Sequence, residues 1–395
     1  MNITESALIE ILRAFATDSQ PKLNTDSVDF EELFGLAKKH SVIGIVAYML
    51  NKYGCFLQEE MQKKYMHEYD RTIMQMSSRE FSAAQIIAML NSNSIPHITF
   101  KGMKVSEAYP IAELRTYGDV DIIIRKQDVK RVCEIMSARG FAHSIADAGV
   151  VNEFKKNRER YEFHINLNVS NLTDDSFFSK VWENSVNTGE CTHQFTHEFH
   201  LSYLITHLEK HVYGSGAGLR MYLDIALYIK KYADKMNLDA VRENLVSCGL
   251  GKFLDTVMYV CNKWFDMELP LWVTPLSDDV YGRMCEFTFT GGVFGEQGQT
   301  RKNEDSVRRE MEKGNKAIKF RLFVHRMFPS FYELCRLYPK YNGKPFLAPF
   351  AWIRHIFDSV RKKKISKVKD IVSVNIQAAT MQKEFLNSIG SSRGK

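Results

Sequence analysis

The 395-residue chain has few glycines and prolines, cysteines without regular spacing, and no long apolar segment. With 22 glycines and 9 prolines, its composition is unlike that of disordered or collagen-like chains. Its seven cysteines include no C-x-x-C pair, which argues against a disulfide framework or a zinc knuckle and favours a reducing compartment. No run of roughly 18 uncharged apolar residues is present, so we predict no transmembrane helix. The expected localisation is therefore the cytoplasm.

Positive charge is concentrated in one segment. The net charge is +6, and residues 361–370 alone hold six cations and one anion. The remaining, nearly neutral chain argues against a broad positive face, so no long nucleic acid is expected as a partner. Two interpretations of residues 350–370 remain open. They can form a peripheral contact with an anionic membrane or an acidic acceptor, or a solvated basic end to a packed helix.

The hydrophobic pattern divides the chain into three regions and a tail. Residues 1–94 have apolar positions at helical spacing, residues 95–195 alternate short apolar segments with helical ones, and residues 196–387 are helical in pattern again. The small and polar residues 388–395 predict a disordered tail. We therefore predict a mixed α/β middle domain between two helical domains.

Three strands and a helix are predicted in the middle domain. Residues 95–100 and 119–125 are short and apolar, and residues 127–140 have the pattern of a helix. Residues 160–169 alternate between apolar and polar for ten positions. Such alternation is typical of a strand with one face on a core and one polar face.

Two aspartates at the start of the second strand are the first candidates for chemistry. Asp119 and Asp121 are two residues apart, so on a strand they project from the same face. Their repulsion favours a cation between them, and Mg²⁺ suits such oxygen ligands when phosphates complete its coordination. Glu162 lies on the polar face of the later strand. If the two strands pair, three carboxylates can hold two metal ions for displacement at phosphorus.

Basic residues near the aspartates suit a phosphate group. Lys101 and Gly102 follow a strand and precede a helix, where backbone N–H groups are free and glycine permits close approach. Lys101 or Arg115 can neutralise a polyphosphate. His164 shares the polar face with Glu162, where it can shuttle a proton, contact a phosphate, or simply form a hydrogen bond within the sheet.

Two pairs of residues have helical i, i+4 spacing in the C-terminal region. His207 and His211 share a helix face, and no third ligand for zinc is evident. We expect them to pack against the middle domain, near the nucleotide or on the acceptor side. Arg220 and Asp224 can pair with each other in the same way.

The order of these elements resembles the polymerase-beta-like nucleotidyltransferase superfamily. The order is strand, K-G, helix, Y-P, R-x-x-G-D-x-D and an E-x-H strand, and it is most similar to a bacterial family of uncharacterised nucleotidyltransferases. The resemblance extends from about residue 30 to residue 360. The similar segments outside the core are LAKKHSV (36–42), THLEKH (206–211), RMYLDIALYI (220–229), GGVFG (291–295), FPSFYELCRLYP (328–339) and LAPFAWIRHI (347–356).

The resemblance implies an α+β fold, with a small mixed β-sheet nucleotidyltransferase core flanked by N-terminal and C-terminal helical domains. It implies transfer of a nucleoside monophosphate (NMP) from a nucleoside triphosphate (NTP), taken as ATP, to an unidentified hydroxyl acceptor, with release of pyrophosphate. Asp119, Asp121 and Glu162 would hold Mg²⁺, or alternatively Mn²⁺. Glu162 would also take the acceptor proton, and Gly102 would lie against the phosphates. Alanine at either aspartate is expected to abolish NTP binding and leave the fold intact.

Two other functions are weighed against this one. A nucleotide-sugar glycosyltransferase also uses D-x-D, but there the pair generally closes an apolar strand, whereas here it opens one. A non-catalytic nucleotide-binding or interaction module is favoured by Met103, because the superfamily has Gly-Ser or Gly-Gly at this turn. The three carboxylates argue against such a module.

Overall fold

The computed structural model describes residues 1–56, 58–146, 150–167, 169, 176–214, 216–292, 328–338, 341, 345–361 and 376–391. Contacts within the chain define two compact units, residues 1–296 with 388–395 and residues 297–387. The boundaries predicted near residues 95 and 196 fall inside the first unit. The division of this unit into separate domains therefore stays a prediction.

The region before the sheet is helical, as the sequence predicts. Its helices are α1 (Ile3–Thr17), α2 (Phe30–Lys39), α3 (Ile43–Lys52) and α4 (Glu59–Ser92). Helix α1 begins at a capping box, in which the side chains of Asn2 and Glu5 each accept a hydrogen bond from the other residue's backbone N–H. Asp29 caps α2 by accepting from two backbone N–H groups of the first turn.

The middle region forms one mixed sheet, which confirms the predicted α+β class. Its strands are β1 (His97–Phe100), β2 (Val120–Ile124), β3 (Ala142–Ala146), β4 (Val151–Lys156), β5 (Glu159–His164), β6 (Ser185–Gly189) and β7 (Thr192–Phe195). Helices α5 (Gly102–Ser106), α6 (Val129–Ala138) and α7 (Ser176–Ser179) connect them. The strand order is β3-β4-β5-β2-β1-β7-β6. Strand β2 runs parallel to β5 and antiparallel to β1.

The central strand β2 is buried on both faces. Ile122 and Ile124 belong to one core, which includes residues of α4 and α6, whereas Ile123 belongs to a second core beyond the other face. Because side chains alternate along a strand, Asp121 shares the face of Ile123. The second core includes Phe199 and Tyr203, so the face that carries Asp121 is covered by the helix that follows the sheet.

The predicted ten-residue strand is shorter in the structure. Strand β5 ends at His164, where its pairing with both β4 and β2 also ends. Among the described residues, one backbone hydrogen bond follows, from Ile165 N–H to the Val150 oxygen, and no further strand positions are paired. Leu167 and Val169 remain buried in the second core, so the apolar alternation reports burial beyond the point where the regular strand stops. Asn168 lies outside the described residues.

The region after the sheet is helical. Its helices in the first unit are α8 (His197–Tyr213), α9 (Leu219–Tyr232), α10 (Leu238–Ser247), α11 (Gly251–Phe265) and α12 (Asp278–Gly291). Further along the chain are α13 (Phe331–Leu337), α14 (Ala348–Arg361) and α15 (Ile376–Ser388). Among the described residues, no helix has the length and apolar character needed to cross a membrane.

The predicted disordered tail is partly wrong. Ser388 ends α15, Ile389 is buried, and the Ser391 hydroxyl donates a 2.8 Å hydrogen bond to Glu209 of α8. Burial and this hydrogen bond fix a segment whose composition alone suggested disorder. Residues 392–395 lie outside the described residues.

Two further segments of the sequence analysis are only partly described. In the GGVFG segment, residues 293–295 lie outside the described residues. In the basic segment, residues 362–370 also lie outside the described residues. Phe350, Ile353 and Phe357 of α14 are exposed, and the contact predicted for residues 350–370 stays a prediction.

Candidate active site

The parallel pairing of β2 with β5 brings two of the predicted carboxylates together. Asp121 lies opposite Glu162 in this ladder and opposite Phe100 in the ladder with β1. Asp119 is half-buried and lies just before β2. Its negative charge acts on both Glu162 and Arg160. The sequence predicts a shared site only if β2 and β5 are neighbouring strands, and the structure pairs them.

Asp121 is almost completely buried, with 3% of its surface exposed. Its Oδ1 atom accepts a 2.6 Å hydrogen bond from Lys101 Nζ and lies 2.9 Å from His164 Nε2. Burial alone would raise the pKa of this carboxyl, but the charge of Lys101 and the contact with His164 outweigh burial and lower it. Asp121 is therefore ionised.

Lys101 reaches Asp121 from an unusual backbone conformation. It directly follows β1 and has φ 53° and ψ −129°, a region that non-glycine residues rarely occupy. Burial would lower the pKa of the ammonium group, yet the adjacent Asp121 charge raises it above its ordinary value. Lys101 is thus a permanently charged cation next to the carboxylates of Asp121 and Glu162.

Glu162 differs from Asp121 in its protonation. Burial, followed by repulsion from Asp121 and Asp119, raises the pKa of Glu162 to about 7. Arg160 offsets part of this repulsion, since its Nη2 lies 2.9 Å from Glu162 Oε1. A carboxyl group with this pKa can exchange a proton near neutral pH.

The site has the donor atoms that a divalent metal ion requires. Ligand atoms of Asp121, Glu162 and His164 lie within 4.8 Å of one another. The two carboxylates supply the oxygen ligands that Mg²⁺ or Mn²⁺ takes, and the imidazole adds a nitrogen ligand of the kind that suits later transition metals. The metal ligands predicted from the sequence are Asp119, Asp121 and Glu162, so they include Asp119 where the structure groups His164. The ligand role of Asp119 stays a prediction.

Gly102 is required by packing. A Cβ atom at this position would lie 2.6 Å from Arg115 Nη1 and 2.6 Å from Tyr117 Cβ, which is closer than real side chains approach. Gly102 therefore abuts the loop before β2. Its predicted contact with phosphate stays a prediction.

Arg115 is engaged in a buried ion pair. Its Nε and Nη2 atoms lie 3.1 Å and 2.6 Å from the two carboxylate oxygens of Asp224 in α9, and Tyr109 donates to the same carboxylate at 2.7 Å. The predicted pairing of Arg220 with Asp224 is therefore wrong, because Arg115 takes that carboxylate. The contact between Arg115 and a polyphosphate stays a prediction, and this ion pair does not favour it.

Arg220 is a cation that the sequence analysis did not assign to the site. Its Nη1 donates to the backbone oxygen of Thr116 at 2.7 Å and to the hydroxyl of Thr116 at 3.1 Å. Burial, followed by the charge of Arg115, lowers its pKa to about 10. The charges of Asp224 and Asp119 act in the opposite direction. No local pattern could identify this position.

The predicted histidine pair lies on the helix that covers the site. The rings of His207 and His211 are 4.7 Å apart, and Tyr203 stacks on His207. Burial, followed by the charges of His211 and Lys101, lowers the pKa of His207 well below its usual value. Burial and Lys210 lower the pKa of His211 to about 4. Both rings are neutral at physiological pH, and the charge of Lys101 acts on both.

Tyr203 and Arg160 are two further residues at the site that were not predicted from the sequence. Tyr203 precedes His207 by four residues, and its ring packs 5.4 Å from that of Phe100. Arg160 alternates with Glu162 on the polar face of β5. In both cases the spacing was visible in the sequence, since residues four apart share a helix face and residues two apart share a strand face.

The chain matches a family model and is similar to a solved structure. A family model described as "Uncharacterised nucleotidyltransferase" matches residues 26–266, which is more than half of the chain. No curated protein matches the chain. The solution structure of the antibiotic-resistance factor ANT(2'')-Ia is similar at 12% identity and a TM-score of 0.33, covering 44% of this chain and 93% of that chain.

Proposed function

The chain belongs to the family of uncharacterised nucleotidyltransferases, and on that premise we propose that it transfers an NMP group from an NTP to a hydroxyl acceptor. The observation that carries the proposal is the group formed by Asp121, Glu162 and His164 on adjacent strands. Family membership supports the reaction class, and this geometry supports its dependence on metal. The same geometry disfavours a non-catalytic module, and the position of the D-x-D pair at the start of β2 disfavours a glycosyltransferase.

In the proposed reaction the acceptor oxygen forms a bond to the α-phosphorus. The bond from the α-phosphorus to the oxygen that bridges it to the β-phosphate breaks, and pyrophosphate leaves with the electron pair. The acceptor proton would pass to the carboxylate of Glu162, whose pKa in the metal-free protein is about 7. Asp121, Glu162 and His164 would hold the metal, with Asp119 beside them. Mg²⁺ or Mn²⁺ bound there supplies positive charge that stabilises the phosphoryl group undergoing transfer.

The cations around the carboxylates have separate tasks. Lys101 lies at the site itself and would bind phosphate oxygens. The charge of Asp119 acts on Arg220, and Arg220 would attract the triphosphate. The rings of His207 and His211 are neutral, and the charge of Lys101 acts on both. These uncharged rings would face the acceptor or the nucleoside. ATP is the NTP to test first.

A thermal-shift panel followed by a pyrophosphate assay tests this function. The panel compares ATP, GTP, CTP, UTP and nucleotide sugars, each with and without Mg²⁺ or Mn²⁺. We expect a metal-dependent rise in melting temperature with an NTP, lost in Asp119→Asn and kept in Glu159→Gln, a carboxylate change at the far end of β5.

The other outcomes identify the alternatives. A rise only with a nucleotide sugar would indicate a glycosyltransferase. A rise with an NTP but no pyrophosphate release with any of a set of candidate hydroxyl acceptors would favour a non-catalytic nucleotide-binding module. No rise with any nucleotide would contradict the proposed donor.

A further inference from the structure

The ammonium of Lys101 is hydrogen-bonded to Oδ1 of Asp121, one of the three candidate metal ligands. Lys101 Nζ is 2.6 Å from Asp121 Oδ1, and His164 Nε2 is 2.9 Å from the same oxygen. Asp121 is the most buried of the three candidate metal ligands. One carboxylate oxygen at the centre of the group is therefore already paired with a positive charge that belongs to the chain.

This contact differs from an ordinary surface ion pair. Both partners are shielded, with 19% of the Lys101 side chain and 3% of the Asp121 side chain exposed. Lys104, three residues later, pairs with Glu107 at a similar distance, but about half of the Glu107 side chain is exposed. Shielding from water strengthens the first pair relative to the second.

The backbone of Lys101 indicates that its position is specific. Its φ of 53° with ψ −129° is a conformation that favours glycine. A residue in such a conformation costs free energy, and surrounding contacts must hold it there. The pairing with Asp121 is a contact of this kind, so the ion pair helps to hold the strained backbone of Lys101.

A divalent ion that bound Asp121 through Oδ1 would compete with Lys101 for that oxygen. Without nucleotide, such an ion would have to displace the ammonium, and no phosphate is present to receive it. With a triphosphate bound, the phosphate oxygens offer the ammonium a new partner, and Asp121 becomes available to the metal. Arg160 balances Glu162 rather than Asp121, so it does not replace Lys101 in this exchange.

We propose that Lys101 keeps divalent metal out of the nucleotide-free site and releases Asp121 to the metal only when a polyphosphate arrives. Metal and nucleotide then bind as a pair. By thermodynamic linkage, each raises the affinity for the other by the same factor. This inference rests on the proposed function, because it assumes that Asp121 is a metal ligand.

Binding of Mn²⁺ to the nucleotide-free, full-length protein tests the inference, with free Mn²⁺ measured by electron paramagnetic resonance. We expect Lys101→Met to bind Mn²⁺ at least about tenfold more tightly than the wild type, a gain of about 1.4 kcal/mol. Lys101→Gly should show the same gain, and glycine suits the backbone conformation at this position. The matched control Lys104→Met should bind as the wild type does. Circular dichroism confirms that each variant is folded.

Three results would overturn the inference. If the wild type and both Lys101 variants bind Mn²⁺ equally tightly, the lysine does not exclude metal, and the proposed function stands. If no variant binds Mn²⁺ and adding α,β-methylene ATP does not restore binding, the metal-dependent part of the proposed function fails as well. If Asp121→Asn added to Lys101→Met keeps the gained affinity, the metal is bound elsewhere.

Discussion

Arg115 and Asp224 form a two-point ion pair across 109 positions of the chain, with Nε–Oδ1 and Nη2–Oδ2 distances of 3.1 Å and 2.6 Å. Both side chains are buried. The pair ties the loop before β2, which leads into Asp119 and Asp121, to helix α9. The position of the two aspartates therefore depends on a contact with the C-terminal helices.

Breaking this pair should destabilise the protein. We expect Arg115→Met to lower the free energy of unfolding by about 3–5 kcal/mol, because it leaves the buried Asp224 charge without its partner. Urea unfolding measures the change. Lys63→Met, which removes an exposed i, i+4 pair with Glu59, is the control and should cost less than about 0.5 kcal/mol. A stable Arg115→Met protein with only a raised KM for NTP would instead support the predicted phosphate contact.

Glu162 should make stability depend on pH. Burial, followed by repulsion from Asp121 and Asp119, raises its pKa from 4.5 to about 7. The folded protein therefore keeps a proton that the unfolded chain has lost between these values. The stability linked to this proton is complete below about pH 4.5 and is lost as the pH rises through about 7.

Glu162→Gln mimics the protonated carboxyl and isolates this effect. Between about pH 4.5 and 8, the wild type should lose up to about 3 kcal/mol of stability relative to Glu162→Gln, as measured by urea unfolding at intervals of pH. Glu159→Gln should show no such trend relative to the wild type. A difference between the wild type and Glu162→Gln that stays constant with pH would contradict the raised pKa.

Local patterns in the sequence predicted much of the fold and part of the site. The alternation in β5 and the apolar run in β2 depend on neighbouring residues, so both strands were recognised. The spacing of Asp119 and Asp121 indicated a shared face for the same reason. Because β5 does pair with β2, Glu162 lies beside Asp121, although the two residues are 41 positions apart and no local pattern signalled this contact.

Contacts between distant segments could not be read from the sequence. Arg115 looked like a free cation, since nothing near it predicts a partner in α9. Asp224 looked like a partner for Arg220, because i, i+4 spacing permits the pair. The end of β5 depends on where its neighbours β4 and β2 stop, which the pattern of β5 itself does not contain.

The two aspartates have the same predicted role but different surroundings, because Asp121 is buried and Asp119 is half-buried. Asp121→Ala would leave the ammonium of Lys101 shielded and unpaired, so we expect a loss of about 3–5 kcal/mol in stability. Asp119 is half-buried, so Asp119→Ala should change stability by less than about 1 kcal/mol. Both variants should lose NMP transfer. Thermal unfolding together with pyrophosphate release measures both effects, and equal stability of the two variants would contradict the Lys101–Asp121 pairing.

Arg220 should contribute to nucleotide affinity at the expense of stability. Among the described residues its Nε atom has no hydrogen-bond partner, and burial followed by the charge of Arg115 lowers its pKa to about 10. A lowered pKa means that folding disfavours this charge, and an incoming triphosphate would relieve that cost. We therefore expect Arg220→Met to raise the KM for NTP about tenfold, a loss of roughly 1.4 kcal/mol in binding, without lowering the melting temperature. Lys231→Met, an exposed change on the same helix, should alter neither quantity. A KM equal to that of the wild type would show that Arg220 serves the fold alone.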